Sequence, residues 1–272
     1  MGAKRVIGGP TRYLLHKLGY ELRRAPSHQP FPVDYDQATI EVCREVEHYT
    51  LTSHERVNAL RQAVIYLVEA DVEGAFIECG VWRGGSMLVI AKTLVGLGVT
   101  DRDLYLFDTF TAMPPPGNED VDVSGRPAVD YYEEAQAHPY FSYLPMERVR
   151  ELLLSTGYPR ERVHFIQGMV EQTIPTQAPE EIALCRLDTD WYGSTKHEMN
   201  HLFWRVPEGG VLIVDDYGHF LGAKQAVDEF IDAIGGGVLL NRIDYSGRLA
   251  VMTSDAKRRA VTRAMAARPR SP

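Results

Sequence analysis

The stretch from Ala75 to Ser86, A-F-I-E-C-G-V-W-R-G-G-S, limits the architectures open to this chain. Ala75–Ile77 is a short apolar run that reads as a buried strand, and Gly80, Gly84 and Gly85 punctuate the residues after it. The next segment, S-M-L-V-I-A-K-T-L-V-G-L (Ser86–Leu97), carries apolar residues at helical spacing. A strand that passes through a glycine turn into a helix opens a βαβ unit. Its glycines let a ligand approach the backbone, and the free N–H groups at the helix start offer hydrogen bonds, as an adenosine-containing cofactor requires. The same residues also suit an ordinary βα turn, so the remainder of the chain must decide.

That remainder alternates. A helix is expected over Gln37–Glu47, and Ser53 caps another whose apolar face is Val57, Leu60, Val64, Leu67 and Val68. Further strands are expected at Leu104–Phe107, Val163–Gln167, Ile182–Leu187 and Val211–Val214. Helices are expected at Met146–Thr156, closed by Gly157, at Ser194–Arg205 and at Ala223–Ile234. Val238–Ile243 and Leu249–Thr253 form an antiparallel pair around Ser246-Gly247. The pattern predicts a doubly wound, Rossmann-like α/β domain with a mostly parallel sheet and an antiparallel closing strand. It spans residues 51–256, behind an N-terminal arm with helices (1–50) that serves as cover or oligomer contact. A tail follows at 257–272. Within the domain, residues 109–142 form an insertion. Thr109–Pro139 shows little periodicity, and a loop that long in a compact domain is functional or disordered. Its aromatics (Phe110, Tyr131, Tyr132, with Tyr140 and Phe141 after it) favour a lid.

A net charge of −8 argues against a general nucleic-acid binder, which needs a basic surface. Three cysteines without metal-type spacing and no signal-like start predict a cytoplasmic protein. No window approaches the ~20 apolar residues of a membrane span.

In a sheet of this kind ligands bind beyond the carboxyl ends of the strands. Glu78–Gly80, Asp108, Gln167–Gly168, Asp188 and Asp215–Asp216 all fall there. Asp108 lies roughly 28 residues beyond Gly80, somewhat further than the ~20 usual for an acid that binds a ribose hydroxyl. Asp188, Asp190, Asp215 and Asp216 would repel one another unless something positive sits among them. A hard divalent cation, magnesium above all, is the natural occupant, although Asp190 also suits a helix N-cap. His219 comes shortly after and is placed to touch a substrate. His54, His164 and His197 lie on expected helices or strands and read as surface or satisfied groups, not as catalytic ones. Trp82 and Arg83 either meet the cofactor or pack. A nicotinamide dehydrogenase on the same architecture is the alternative, disfavoured because the turn is G-V-W-R-G-G and not G-x-G-x-x-G.

Four blocks, E-C-G-V-W-R-G-G-S (Glu78–Ser86), L-F-D-T-F (Leu106–Phe110), R-L-D-T-D-W-Y-G-S-T (Arg186–Thr195) and G-G-V-L-I-V-D-D-Y-G (Gly209–Gly218), resemble the macrocin O-methyltransferase family. T-S-H-E-R (Thr52–Arg56) and G-A-K-Q-A-V-D-E-F (Gly222–Phe230) match as well. The resemblance implies S-adenosylmethionine as methyl donor, a divalent metal (usually magnesium), and a sugar or glycoside hydroxyl as acceptor. It implies that Glu78, Gly80 and Ser86 line the methionine end of the cofactor, Asp108 takes the ribose hydroxyls, and Gly168 with Met169 borders the adenine. Asp188, Asp215 and Asp216 correspond to metal ligands, with Asp188 also as base. Thr189 stands where many members have glycine, and Met169 and Val170 replace expected aromatics. Trp191, Tyr192, Tyr217 and the lid are expected to shape the acceptor pocket, and a homo-oligomer is expected through the arm.

Overall fold

The computed structural model describes residues 31–137 and 142–254. The chain divides into Met1–Tyr35 and Asp36–Pro272, and the second unit carries the fold. Most of the N-terminal arm, with its expected oligomer contact, and the tail at 257–272 lie outside the described residues, as do Tyr140 and Phe141.

Strands β1 (Ala75–Cys79), β2 (Leu104–Asp108), β3 (Val163–Gln167), β4 (Ile182–Leu187), β5 (Val211–Val214), β6 (Asn241–Arg242) and β7 (Arg248–Val251) form one sheet. Their order is β3-β2-β1-β4-β5-β7-β6. The first five are parallel, and β7 runs antiparallel to both of its neighbours. The helices are α1 (Gln37–Val46), α2 (His54–Glu69), α3 (Gly85–Gly96), α4 (Ala128–Ala137), α5 (Met146–Leu154), α6 (Val170–Thr173), α7 (Tyr192–Leu202) and α8 (Leu221–Ile234). Chain order reverses between β1 and β4, the switch point where such sheets open a crevice.

Every residue of β1 and of β4 is buried, which is why both read as continuous apolar runs and not as alternation. Side chains still alternate between faces. Ile77, Cys79, Cys185 and Leu187 join Met199, Leu202 and Val227 of α7 and α8 in one core cluster. The α2 helix starts where the sequence places it, with the Ser53 hydroxyl accepting the Arg56 N–H at 3.2 Å. The α1 helix, grouped with the arm in the sequence reading, belongs to the main unit, and its Glu45 pairs with Lys92 of α3 at 2.8 Å.

Two expectations change. The insertion after β2 is not all loop, because α4 occupies Ala128–Ala137. Ala128 at its start is fully buried, whereas Val129 beside it is exposed, so its sequence shows little apolar periodicity. The penultimate strand is shorter than expected. Gly235, Gly236 and Gly237 all take left-handed conformations after α8, and pairing begins only at Asn241.

Two buried features hold the strand ends together. Gly80 has φ +84°, and a Cβ there would lie 1.9 Å from the Asp188 carbonyl oxygen. Arg186, the register partner of Glu78, is 2 % exposed in the middle of β4. Its Nη1 donates to Glu78 Oε1 (2.5 Å) and Asp188 Oδ2 (2.6 Å), and its Nη2 to Asp215 Oδ1 (2.5 Å). Gly80→Ala is expected to lower Tm by roughly 5–10 °C, combining left-handed strain with the clash. Arg186→Met leaves three carboxylates without their cation and should cost about 3–5 kcal/mol in chemical denaturation. Wild-type denaturation midpoints in both variants would refute this account of the strand ends.

Candidate active site

A cavity of about 1010 Å³ opens over the carboxyl ends of the parallel strands. It sits at the top of the ~300–1,000 Å³ range of ligand pockets, which leaves room for two small molecules side by side. Glu78, Gly80, Ser86, Asp108, Gly168 and Met169 all line it, and so do Asp188, Asp215 and Asp216. The residues singled out in the sequence therefore converge on one space.

The turn after β1 is fixed by a carboxylate. Asp108 Oδ2 accepts the backbone N–H groups of Val81 (2.6 Å) and Trp82 (3.0 Å), and Oδ1 accepts that of Phe110 (2.6 Å). An acid expected to serve a ligand thus also shapes the loop around it. Glu78 is 1 % exposed, and its Oε2 has no hydrogen-bond partner. Burial pushes its carboxyl up to about 8 against the pull of Arg186. A buried polar atom without a partner, on a ligand cavity, marks a place where a donor is wanted.

Next to it, one ligand oxygen from each of Asp188, Asp215 and Asp216 lies within 4.8 Å of the others. Arginine already supplies part of the positive charge that the sequence reading gave to a metal. Asp215 accepts from Arg186 on Oδ1 and from the Nη1 of Arg56 on Oδ2. Arg56 is steadied by Asp244 Oδ2 (3.0 Å), which also accepts the Ser53 hydroxyl (2.6 Å). Two guanidiniums do not balance six carboxylates: Glu78, Asp188, Asp190, Asp215, Asp216 and Asp244. Burial and mutual repulsion accordingly hold several of these acids high. Asp215 is pushed up to about 6 by burial in spite of both arginines. Asp190 rises to about 7 through burial and then the charge of Asp188. Asp216 is raised by burial and by Asp190. Such a set of hard oxygen donors with surplus negative charge fits a divalent cation.

Asp190 is not the cap of α7. That position belongs to Trp191, whose side chain makes no capping bond. The cap comes from the lid instead: Asp120 Oδ1 accepts the Tyr192 N–H at 2.8 Å, and Trp191 Nε1 donates to the Pro114 carbonyl at 2.8 Å. The lid also pairs with the segment before α8, with Val123 N–H on the His219 carbonyl and Leu221 N–H on that of Val121. Neither tie is readable from local sequence, because the partners lie far apart in the chain.

His219 lines the cavity as expected, between Tyr131, Phe220 and Tyr245. Burial lowers its pKa, and Nδ1 has no partner. Trp191 and Trp82 line the cavity too. Tyr192 and Tyr217, expected in the acceptor pocket, turn towards α8: their hydroxyls donate to Glu229 (2.8 Å) and Asp228 (2.6 Å). Arg83 bonds to Ser142 and to the His48 carbonyl. His164 pairs with Asp103, and His197 bonds to the Ile174 carbonyl. Sequence reasoning passed over Arg186, although an arginine inside I-A-L-C-R-L was a usable signal, since a charge in a fully buried strand requires a partner.

The profile of the macrocin-O-methyltransferase (TylF) family matches residues 20–249. Mycinamicin III 3''-O-methyltransferase of Micromonospora griseorubida is 29 % identical over 218 residues, covering 78 % of this chain and 84 % of the relative. Demethyldecarbamoylnovobiocin O-methyltransferase of Streptomyces niveus is 30 % identical over 182 residues, 67 % of each chain. The solved O-methyltransferase NovP superposes with a TM-score of 0.66 at 29 % identity, over 75 % of this chain and 82 % of its own. The chain belongs to the macrocin-O-methyltransferase family and is an O-methyltransferase.

Proposed function

We propose that this enzyme transfers a methyl group from S-adenosylmethionine to a hydroxyl of a sugar or glycoside, with a divalent cation, magnesium in the first instance, at the aspartate cluster. The observation that carries this reading is the pairing, in one cavity, of a glycine turn backed by Glu78 with a cluster of aspartates in surplus over their arginines. The sugar acceptor is supported by the family's name and by relatives named for antibiotic glycosides. Family membership sets the dehydrogenase alternative aside.

Glu78, Gly80 and Ser86 would hold the methionine end of the donor, with the free Oε2 of Glu78 available to an ammonium group. Asp108 would take the ribose hydroxyls in place of the long Thr109 hydroxyl bond (3.4 Å) on its Oδ1, and Gly168 with Met169 would border the adenine. Asp188, Asp215 and Asp216 would hold the cation. When bound, S-adenosylmethionine supplies an electrophilic methyl and the cation supplies a Lewis acid that lowers the pKa of a hydroxyl. The sequence reading gave Asp188 both tasks, ligand and base. Asp188 accepts from Arg186, which ties its Oδ2 to the structural network. Asp190 lines the same cavity, and as the carboxyl not placed among the cation ligands it is the proton acceptor in this reading. The acceptor hydroxyl would give its proton to Asp190, and the donor held by Glu78, Gly80 and Ser86 would supply the methyl group. The lid, fastened to Trp191 and Tyr192, would exclude water and align the hydroxyl with the methyl group.

Mass spectrometry of a glycoside panel incubated with S-adenosylmethionine and magnesium tests the whole reading. Chelator should abolish turnover and added magnesium restore it; full turnover in chelator would remove the cation. Asp190→Asn is expected to lower kcat about 100-fold or more while leaving S-adenosylhomocysteine affinity within about twofold by calorimetry. A similar kcat for wild type and variant would return the base role to Asp188.

A further inference from the structure

Glu198 lies on α7, facing away from the cavity, and is fully buried. It stands beside the buried Cys79 and Cys185 thiols. Thr189 Oγ1 donates to Oε1 at 3.0 Å, the Cys79 thiol lies within hydrogen-bonding reach of the carboxyl, and Oε2 is left unsatisfied. Burial drives its own pKa well above the carboxylate range. A buried carboxyl with an unsatisfied oxygen destabilises the fold, a cost that an apolar side chain of similar length would spare. Core packing gives no reason for an acid here.

The reason lies at the other end of the hydrogen bond. Thr189 stands between Asp188 and Asp190 in a strained turn. Trp191 N–H donates to the Thr189 carbonyl at 2.7 Å across Asp190, whose φ is +64°. A three-residue turn closed in this way with positive φ at its centre is the rare, strained form. Such conformations persist only where the surroundings hold them. The lid contributes Asp120 and Pro114, and Ser194 Oγ donates to the Thr189 and Trp191 carbonyls at 3.3 and 3.1 Å. Glu198 is the anchor from within the core.

We propose that Glu198 is a positioning residue: through the Thr189 hydroxyl it pins the strained Asp188–Trp191 turn and thereby sets Asp190 against Asp216 in the cavity. The geometry stands by itself, and only the service this renders to catalysis rests on the function proposed above. Glu198 does not touch the reacting atoms, and it acts through Thr189. The hydroxyl and carboxyl form a pair, so removing either should release the same turn.

The test compares Thr189→Val, Glu198→Met and Glu198→Gln in the full chain without added ligand. Hydrogen–deuterium exchange is followed over Asp188–Tyr192, with Tm and S-adenosylhomocysteine affinity measured alongside. Thr189→Val and Glu198→Met are expected to speed exchange of the Trp191 amide about tenfold, with Tm unchanged or raised. Glu198→Gln keeps an acceptor for the hydroxyl and should exchange as wild type does. S-adenosylhomocysteine affinity should stay within about twofold in all three. Wild-type exchange in Thr189→Val or Glu198→Met would overturn the proposal. So would Glu198→Gln exchanging as fast as Glu198→Met, or a fall in Tm that tracks the exchange and marks a merely structural role. Failure of the wild type to bind S-adenosylhomocysteine would sink the donor assignment and leave the exchange result to decide this one.

Discussion

The Arg186 guanidinium is the interaction on which the rest of the site depends. It draws Glu78, Asp188 and Asp215 together from three adjacent strands, β1, β4 and β5. The order of the sheet dictates this meeting, because β4 lies between the other two. An arginine suits the position better than a lysine would: its planar fork donates in several directions at once, and it stays charged when buried. Yet one guanidinium cannot neutralise three carboxylates, and Arg56 adds only one more positive charge, shared with Asp244. The fold thus relieves enough repulsion to assemble and leaves a remainder. That remainder is the electrostatic case for a cation at Asp188, Asp215 and Asp216, and it is stronger for surviving after the arginines are counted.

The same economy governs the lid. Its segment from Pro114 to Ala128 carries few apolar side chains, and polar ties set it beside the small apolar cluster of Ala128, Trp191, Phe220 and Ala223. Asp122 accepts from the Ser124 N–H and hydroxyl, the Arg126 N–H and the Tyr131 hydroxyl, which organises the lid internally. Asp120 then reaches across to the start of α7. The described part of the insertion is therefore fastened to the loop that carries Asp188 and Asp190. Hydrogen bonds to a helix start are directional, whereas an apolar contact would fix the lid less sharply.

Much of the fold was legible because its signals are local. β3, β4 and β5 begin and end where their apolar runs do, and Ser53 caps α2 as its sequence suggests. The convergence of nine candidate residues on one cavity came from topology, since parallel strands deliver their carboxyl ends to one edge. The features that escaped depended on partners distant in sequence. Tyr192 and Tyr217 were assigned to the pocket by adjacency, but a helix start and a strand end direct side chains by geometry, and both turn to α8. Arg186 escaped because a single charge hides in an apolar run. The strain at Asp190 and the anchor at Glu198 escaped because a backbone dihedral and a nine-residue contact leave no periodic trace.

The surplus of carboxylates also bears on the proposed donor. S-adenosylmethionine carries a sulfonium cation, and a cavity lined by more acids than bases favours that charge over a neutral thioether. Methyl transfer converts one into the other, so the attraction that helps to seat the donor weakens once the reaction is complete. In the proposed reaction the hydroxyl proton would pass to Asp190, one of the acids left over once the arginines are matched. Both consequences stem from the imbalance around Arg186. An arrangement with every aspartate matched by its own arginine would be easier to fold, but it would give a divalent cation nothing to neutralise and leave no carboxylate basic enough to accept the proton.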